Sequence, residues 1–219
     1  MARSTTWYVK ASTIASRSEI ASILVRLMMS INDLSLINNA IGDWSEARDR
    51  KKVRRKAAGE LYFVRILMGH VYEALKMIKV ISEHPQLRDA VMDCDRHTVE
   101  EFLLVESFAH SPEMAILKDF RDKAAFHYDR FLPIENLNKI KEELPDHPFA
   151  YSMGHDGLDW HYELGDMVMG RMLIRDIFKQ DYPKSEERRK KVEEIAMRQQ
   201  EIARAFTDFA GHFIRHYSR

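Results

Sequence analysis

Residues 116–129 read ILKDFRDKAAFHYD, and this stretch is the starting point for predicting both the fold and the function. Ser111 and Pro112 precede it, and a hydroxyl cap followed by a proline at the first helical position is typical of a helix start. Apolar residues then recur at helical spacing, at Ile116, Leu117, Phe120, Ala124 and Phe131. The stretch therefore predicts an amphipathic helix.

Three polar residues lie beside this apolar stripe. In a regular α-helix, Arg121 and His127 would stand on successive turns, about 120° apart around the axis, so both can border one groove. A histidine is a suitable general base near neutral pH, and an arginine can bind a phosphate group through two hydrogen bonds. Asp122 can orient the arginine or accept a hydrogen bond from the histidine.

These side chains are sufficient to cleave RNA, because RNA supplies its own nucleophile in the 2′-hydroxyl group. A general base and a group that binds the phosphate can then break the chain without a metal ion. We therefore predict a site that uses neither a metal nor a cofactor.

The segment from Arg121 to His127 resembles the signature of HEPN domains. In that family an arginine, usually followed by a polar residue, precedes a histidine by four to six residues, late in an all-α bundle. The resemblance covers residues 16–132. It implies that Arg121 and His127 are catalytic, with Asp122 as their polar companion.

The same resemblance implies a biological setting. Members of the family are frequently metal-independent RNases of toxin–antitoxin, phage-defence or stress systems, and they often act as homodimers that bring two motifs together. The implied partners are RNA, a second copy of the chain, and an antitoxin or other regulatory protein. Some members are inactive adaptors.

A non-catalytic interpretation stays open for the pair. Arg121 could be a surface arginine and His127 a histidine packed under the helix end, in a helical module that binds a partner protein. The spacing alone does not decide, because Arg65 and His70 satisfy it as well. We interpret that second match as chance, since apolar Ile66 follows the arginine and the segment lies within a core pattern.

Residues 48–56 read RDRKKVRRK and carry eight charges, seven of them positive. Cations at a helix N-terminus oppose the macrodipole, at a cost of about 0.3–1 kcal/mol each. The run is therefore either a solvated connector or a surface that binds an anionic partner such as a phosphate backbone. On the second interpretation the RNA-binding residues are Lys51, Lys52, Arg54 and Arg55, together with Lys123.

Periodicity along the rest of the chain predicts an all-α fold of about five to seven helices. We expect a single domain, with a flexible N-terminus at 1–15, a HEPN-like core at 16–132, an extension at 133–182 and a long last helix at 183–219. Gly42 is expected to end the first long helix. Thr98 is expected to cap a later, short helix that begins directly after it. The apolar pattern of the last helix predicts close packing on another helix, in this chain or in a second copy.

Residues 149–162 predict a small β-hairpin, because apolar residues alternate on both sides of the turn-forming sequence GHDG at 154–157. If its second strand continues through residue 163, Asp159, His161 and Glu163 share one face. Two carboxylates and an imidazole could bind a divalent cation, so a metal-binding helical protein is the weaker alternative.

The overall composition limits the partners and the cellular compartment that we expect for this protein. The formal net charge is zero, so any anionic partner has to contact a local basic patch. Cys94 is the single cysteine, which excludes an internal disulfide and fits a reducing compartment. Charged residues interrupt the most apolar run, at 61–80, so we expect a cytoplasmic protein with no membrane partner.

Overall fold

A computed structural model describes residues 8–17, 20–46, 56–125, 132–153, 161–178 and 185–218. This part of the chain is mostly helical, which confirms the predicted all-α class. Its α-helices are α1 Ala11–Ala15, α2 Ala21–Ser45, α3 Lys56–Glu83, α4 Pro85–Met92, α5 Arg96–Ala109, α6 Pro112–Phe120, α7 Leu132–Glu143, α8 Glu163–Arg171 and α9 Ser185–Tyr217.

Nine α-helices in the described ranges exceed the predicted five to seven. One additional short element is α1, which lies within the expected flexible N-terminus, whereas α4 falls where the sequence predicts a short helical turn, at 86–93. Helices of five and eight residues are too short to show a clear apolar period. Two helices also continue as π-helical turns, at Arg121–Ala125 after α6 and at Met172–Ile177 after α8.

Neighbouring residues group into two compact units. Unit 1 contains Met1–Ser35, Glu73–Met114 and Glu201–Arg219, and unit 2 contains Leu36–Tyr72 and Ala115–Gln200. The points of division lie inside α2, α3, α6 and α9. The single domain and its boundaries at 15, 132 and 182 stay a prediction.

The core of unit 1 is rich in aromatic side chains from α9. Phe206, Phe209 and Phe213 have no exposed surface, and the ring of Phe209 lies 5.2 Å from that of Phe102 on α5. These three residues belong to the apolar stripe that the sequence predicts on the last helix, which we call the seam. The buried part of the seam ends before His216, which is exposed. In this unit the seam packs against another helix of the same chain.

Two predicted helix boundaries are wrong. Helix α2 continues past Gly42 to Ser45, because a glycine inside a helix lowers its stability without ending it. Asp95, not Thr98, caps α5: its carboxylate accepts a hydrogen bond from the backbone N–H of Thr98 at 3.0 Å. Thr98 is fully buried in the first turn, and its hydroxyl donates to the same carboxylate oxygen at 3.2 Å.

In unit 2, Trp44 near the end of α2 packs directly on Gly59 in the first turn of α3. A Cβ atom at Gly59 would lie 2.0 Å from the indole atoms Cε2 and Nε1, so no larger residue fits beside this ring. The indole also meets the ring of Phe63 edge to face, with centroids 5.9 Å apart. This contact holds the end of α2 and the start of α3 together, on either side of the basic run.

Two polar links join α7 to α8 and the π-helical turn that follows it. Arg171, only 3% exposed, donates two hydrogen bonds to Glu143, at 2.6 and 2.7 Å. The fully buried amide of Asn136 donates to Asp176 at 2.6 Å. In a regular helix, residues 171 and 176 would lie about 140° apart around the axis. The π-helical turn, whose hydrogen bonds join residues five apart, lets both face α7.

Helix α7 agrees with a helix predicted over 134–144, but it begins two residues earlier, at Leu132, with Pro133 as its second residue. Proline is tolerated in the first helical turn, because the N–H group it lacks has no partner there. The proline therefore signals a helix start at this position.

Tyr151–Ser152 and His161–Tyr162 form a short antiparallel pair, in which Tyr151 is opposite Tyr162. Each strand has two residues, and the turn at 154–160 lies outside the described residues. The hairpin as a whole stays a prediction. Glu163 is the first residue of α8, so the strand ends at Tyr162. The backbone N–H of Glu163 donates to the carbonyl of Ala150 at 3.0 Å, and its carboxylate accepts from the backbone N–H of Ala150 at 2.9 Å.

Candidate functional site

Arg121 is the first residue of the π-helical turn that continues α6. Phe120, immediately before it, has no exposed surface and anchors the helix in unit 2. The guanidinium group of Arg121 donates a hydrogen bond to the carboxylate of Asp122 at 3.0 Å, and these side chains are 40% and 47% exposed. Solvent therefore reaches both groups.

Lys123 stands two residues further on, in the same turn. Its ammonium group forms an ion pair with Asp119, one turn earlier, at 2.5 Å. The described part of the motif thus contains two cations, each beside an aspartate, at the end of one helix. Such an end could bind an anion if the anion replaced or joined the carboxylates.

The π-helical turn changes one expectation. The angle of about 120° between Arg121 and His127 assumed a regular α-helix, and the wider turn at 121–125 alters the rotation per residue. His127 lies outside the described residues, as do Lys51, Lys52, Arg54 and Arg55. A groove shared by Arg121 and His127, and RNA binding by the basic run, stay predictions.

A second arginine–aspartate pair provides an internal comparison. Arg175 and Asp176 are also consecutive, and they also lie in a π-helical turn. Their side chains form an ion pair at 2.8 Å but are only 19% and 14% exposed. Asp176 in addition accepts the hydrogen bond from Asn136 of α7. This pair therefore joins two helices, while the pair at 121–122 is two to three times more exposed.

Sequence reasoning missed this polar group, which joins α7 to α8 and to the π-helical turn that follows it. Its members are Asn136, Glu143, Arg171, Arg175 and Asp176. The hydrogen bonds from Arg171 are the main reason that the pKa of Glu143 lies below its ordinary value. The repeated Arg-Asp dipeptide was the available signal, but only the fold distinguishes its buried copy from its exposed one.

The described members of the alternative metal cluster have protein partners. The Nε2 atom of His161 lies 2.6 Å from a carboxylate oxygen of Asp166, and Glu163 accepts the backbone hydrogen bond of Ala150. Asp159 lies outside the described residues. Within the ranges that the structure describes, no group of three or more His, Cys, Asp or Glu side chains is placed to hold a metal ion.

Cys94 does not resemble a reactive thiol. Burial, and secondarily the negative charges of Asp95 and Asp93, raise the pKa of the thiol to about 11. A cysteine that stays protonated at neutral pH is a poor nucleophile. We therefore assign no chemistry to it.

Comparisons of the chain with protein-family models, with curated proteins and with solved structures found no match. Among the helices of the described ranges, none has an apolar stretch long enough to cross a membrane.

Proposed function

We propose that this chain is a HEPN-like, metal-independent RNA endonuclease whose catalytic residues are Arg121, Asp122 and His127. The observation that carries the proposal is the exposed Arg121–Asp122 pair in the π-helical turn. π-Helical turns occur frequently at functional sites, where an irregular backbone re-aims a side chain.

The comparison with Arg175–Asp176 supports a functional use of the exposed pair. An exposed ion pair contributes only about 0–1 kcal/mol to stability, so stability gives little reason to place charges there. The buried pair, by contrast, holds α7 through Asn136. The same dipeptide is therefore largely buried beside α7 at 175–176 and accessible to solvent at 121–122.

In the proposed reaction, His127 takes the proton from a 2′-hydroxyl group, and the resulting alkoxide attacks the adjacent phosphorus. Arg121 stabilises the negative charge that builds on the phosphate oxygens, and Asp122 holds the guanidinium group in place. The P–O5′ bond then breaks, and water donates a proton to the leaving 5′-oxygen. The products are a 2′,3′-cyclic phosphate end and a 5′-hydroxyl end.

The basic run supplies the RNA-binding part of the proposal. Lys51, Lys52, Arg54 and Arg55 would contact the phosphate backbone, with Lys123 next to the catalytic motif. The family resemblance adds that the enzyme acts as a homodimer in the cytoplasm, under the control of an antitoxin or regulatory protein.

The alternative, a non-catalytic interaction module, is favoured by exposed apolar residues on α7. Ile134 and Leu137 on α7 are 58% and 42% exposed and lie one turn apart, and Leu144, which is 38% exposed, directly follows the helix. Such a stripe is typical of a helix that binds a partner protein.

The first prediction distinguishes an RNA endonuclease from a non-catalytic interaction module. With EDTA present, the wild-type protein should cleave single-stranded RNA, and Arg121→Ala or His127→Ala should each lower the rate by about 10²–10⁴-fold. The double variant should lose little more than either single one, because residues that act as a unit are not additive. Arg121→Ala should change the free energy of unfolding by no more than about 0.5 kcal/mol, since its side chain is partly exposed.

Arg175→Ala is the matched control. It removes the buried arginine of the second pair, so it should lower the melting temperature clearly. Rates of RNA cleavage and melting temperatures are measured on the same samples. A wild-type protein without activity would favour the interaction module, and wild-type rates in stable Arg121→Ala and His127→Ala proteins would exclude the catalytic assignment.

A further inference from the structure

A pair of histidines in unit 1, far along the chain from the proposed catalytic motif, has the spacing of metal ligands. His97 lies in the first turn of α5 and His212 in the second half of α9. Their ring centroids are 4.7 Å apart, and the ring planes cross at 84°. His97 is exposed and His212 is half-buried, so both rings can reorient and a hydrated ion can reach them.

This separation can be compared with the geometry of a metal–imidazole bond. A Zn²⁺–N bond of 2.0–2.1 Å places the ion about 3.2 Å from the centroid of each imidazole ring. Two rings bound at angles of about 90–110° then have centroids roughly 4.5 to 5.3 Å apart. The observed 4.7 Å falls within this interval. Chelation requires both rings to turn from this edge-to-face contact until one nitrogen of each faces the ion.

Asp95 precedes His97 by two residues and is the N-cap of α5, with one carboxylate oxygen bound by the backbone N–H and the hydroxyl of Thr98. Histidines that bind metals usually donate their second ring N–H to a carboxylate, which fixes the ring and raises its basicity. The second carboxylate oxygen of Asp95 is the acceptor that we assign to this role.

We propose that His97 and His212 bind a divalent transition-metal ion of the class that prefers imidazole, such as Zn²⁺ or Cu²⁺, with Asp95 as an outer partner and water at the remaining positions. With two protein ligands, the site is smaller than the clusters of three or more that are missing from the described ranges. The ion would join the start of α5 to α9 and so stabilise unit 1 when bound.

The chain offers a competing pair that makes the test specific. His216 lies four residues after His212 on α9, and two histidines at that spacing can also bind one ion from a single helix face. The ring of His216 lies against Tyr217, with centroids 4.8 Å apart, and its side chain is exposed. A variant of His216 therefore distinguishes the pair across two helices from the pair on one helix.

The test is a titration of the full-length, tag-free protein with ZnCl₂, followed by calorimetry and by the melting temperature. The wild-type protein should bind one Zn²⁺ and melt at a higher temperature with Zn²⁺ than without it. His97→Ala and His212→Ala should each weaken binding by about tenfold or more, and Asp95→Asn, which keeps a good helix cap, by about tenfold. His216→Ala should bind like the wild type.

The outcomes decide the assignment without reference to RNA cleavage. Loss of binding in His216→Ala with full binding in His97→Ala would move the ion to the helix face of α9 and overturn the proposal. No binding by the wild type, or equal binding by all variants, would overturn it as well.

Discussion

Gly59 and Gly42 show how one residue type can have opposite roles in neighbouring helices. A Cβ atom at Gly59 would collide with the indole of Trp44, while one at Gly42 would meet nothing within 4 Å. Both glycines lie inside helices, where glycine is about 0.5–1 kcal/mol less favourable than alanine. Only the fold shows that Gly59 has a packing role and Gly42 has none.

At the residue scale we therefore predict opposite effects of two alanine substitutions. Gly59→Ala should lower the free energy of unfolding, because overpacking costs about 1–3 kcal/mol and exceeds the gain in helix propensity. Gly42→Ala is the matched control and should raise it by about 0.5–1 kcal/mol. Urea unfolding of both variants checks this, and a stabilising Gly59→Ala would show that Trp44 can move away at little cost.

The candidate site was predictable only in part at this scale. The sequence identified Arg121, Asp122 and Lys123 as charged residues beside a buried stripe, and the structure places the described side chains in exposed ion pairs. The sequence could not distinguish the dipeptide at 121–122 from that at 175–176, because burial depends on which helix packs over it.

At the scale of the helices, the position of α7 depends on two carboxylates that lie in different environments. Glu143 is bound by the buried guanidinium group of Arg171, while Asp176 accepts from the buried amide of Asn136. Breaking the first link leaves a buried arginine without its counter-ion, which is strongly destabilising. The position of α7 should therefore respond to the charge of Glu143.

We predict an acid-dependent loss of this link. Because Arg171 holds the pKa of Glu143 below the ordinary value of 4.5, the carboxylate stabilises the fold above that value, and this stabilisation is lost as the pH falls through the lowered pKa. Glu143→Gln should reduce stability at pH 7 and flatten its dependence on pH below about 4.5. Glu142→Gln, on the exposed side of the same helix, serves as the control.

Melting temperatures between pH 7 and pH 3 test that prediction. An unchanged acid dependence in Glu143→Gln would mean that solvent screens the pair, since the carboxylate is about half exposed.

Helix positions were largely predictable, whereas helix regularity was not. The apolar stripe of α3, from Leu61 to Ile81, is buried in the way that the 3.6-residue period indicates. The π-helical turns have no period of their own in the sequence. At 172–177 the altered hydrogen-bond pattern accompanies the polar links to α7, which come from a part of the chain more than 25 residues away.

Considered as a whole molecule, the chain has no net charge but a very uneven distribution of charge. Seven cations fall within residues 48–56, and Trp44 on Gly59 fixes the helix ends on either side. Whole-chain composition could not predict an RNA partner, because an average hides a local run. Binding therefore has to be tested through the run itself.

We predict that replacing Lys51, Lys52, Arg54 and Arg55 with glutamine weakens binding of single-stranded RNA and lowers its salt dependence. Each lost phosphate contact reduces the slope of log K against log salt by about 0.7, so four contacts would reduce it by about 3. The control replaces Arg96 and Arg204, whose side chains are 91% and 85% exposed. Fluorescence anisotropy at several salt concentrations provides the measurement. An unchanged slope would show that the run is a solvated connector and does not bind RNA.

Unit 1 consists of three segments that are far apart in the sequence, and this affects how it folds during synthesis. This unit combines the first 35 residues with 73–114 and 201–219, and the last of these segments supplies Phe206, Phe209 and Phe213. A ribosome adds about 5–20 residues per second, and domains fold as their parts emerge. Unit 2 is fully synthesised by residue 200, whereas the early segments of unit 1 wait for their aromatic partners until residue 213 has left the exit tunnel. During that interval Phe102 of α5 has no phenylalanine of α9 to cover it, so we expect this apolar surface to stay exposed until the last helix is released.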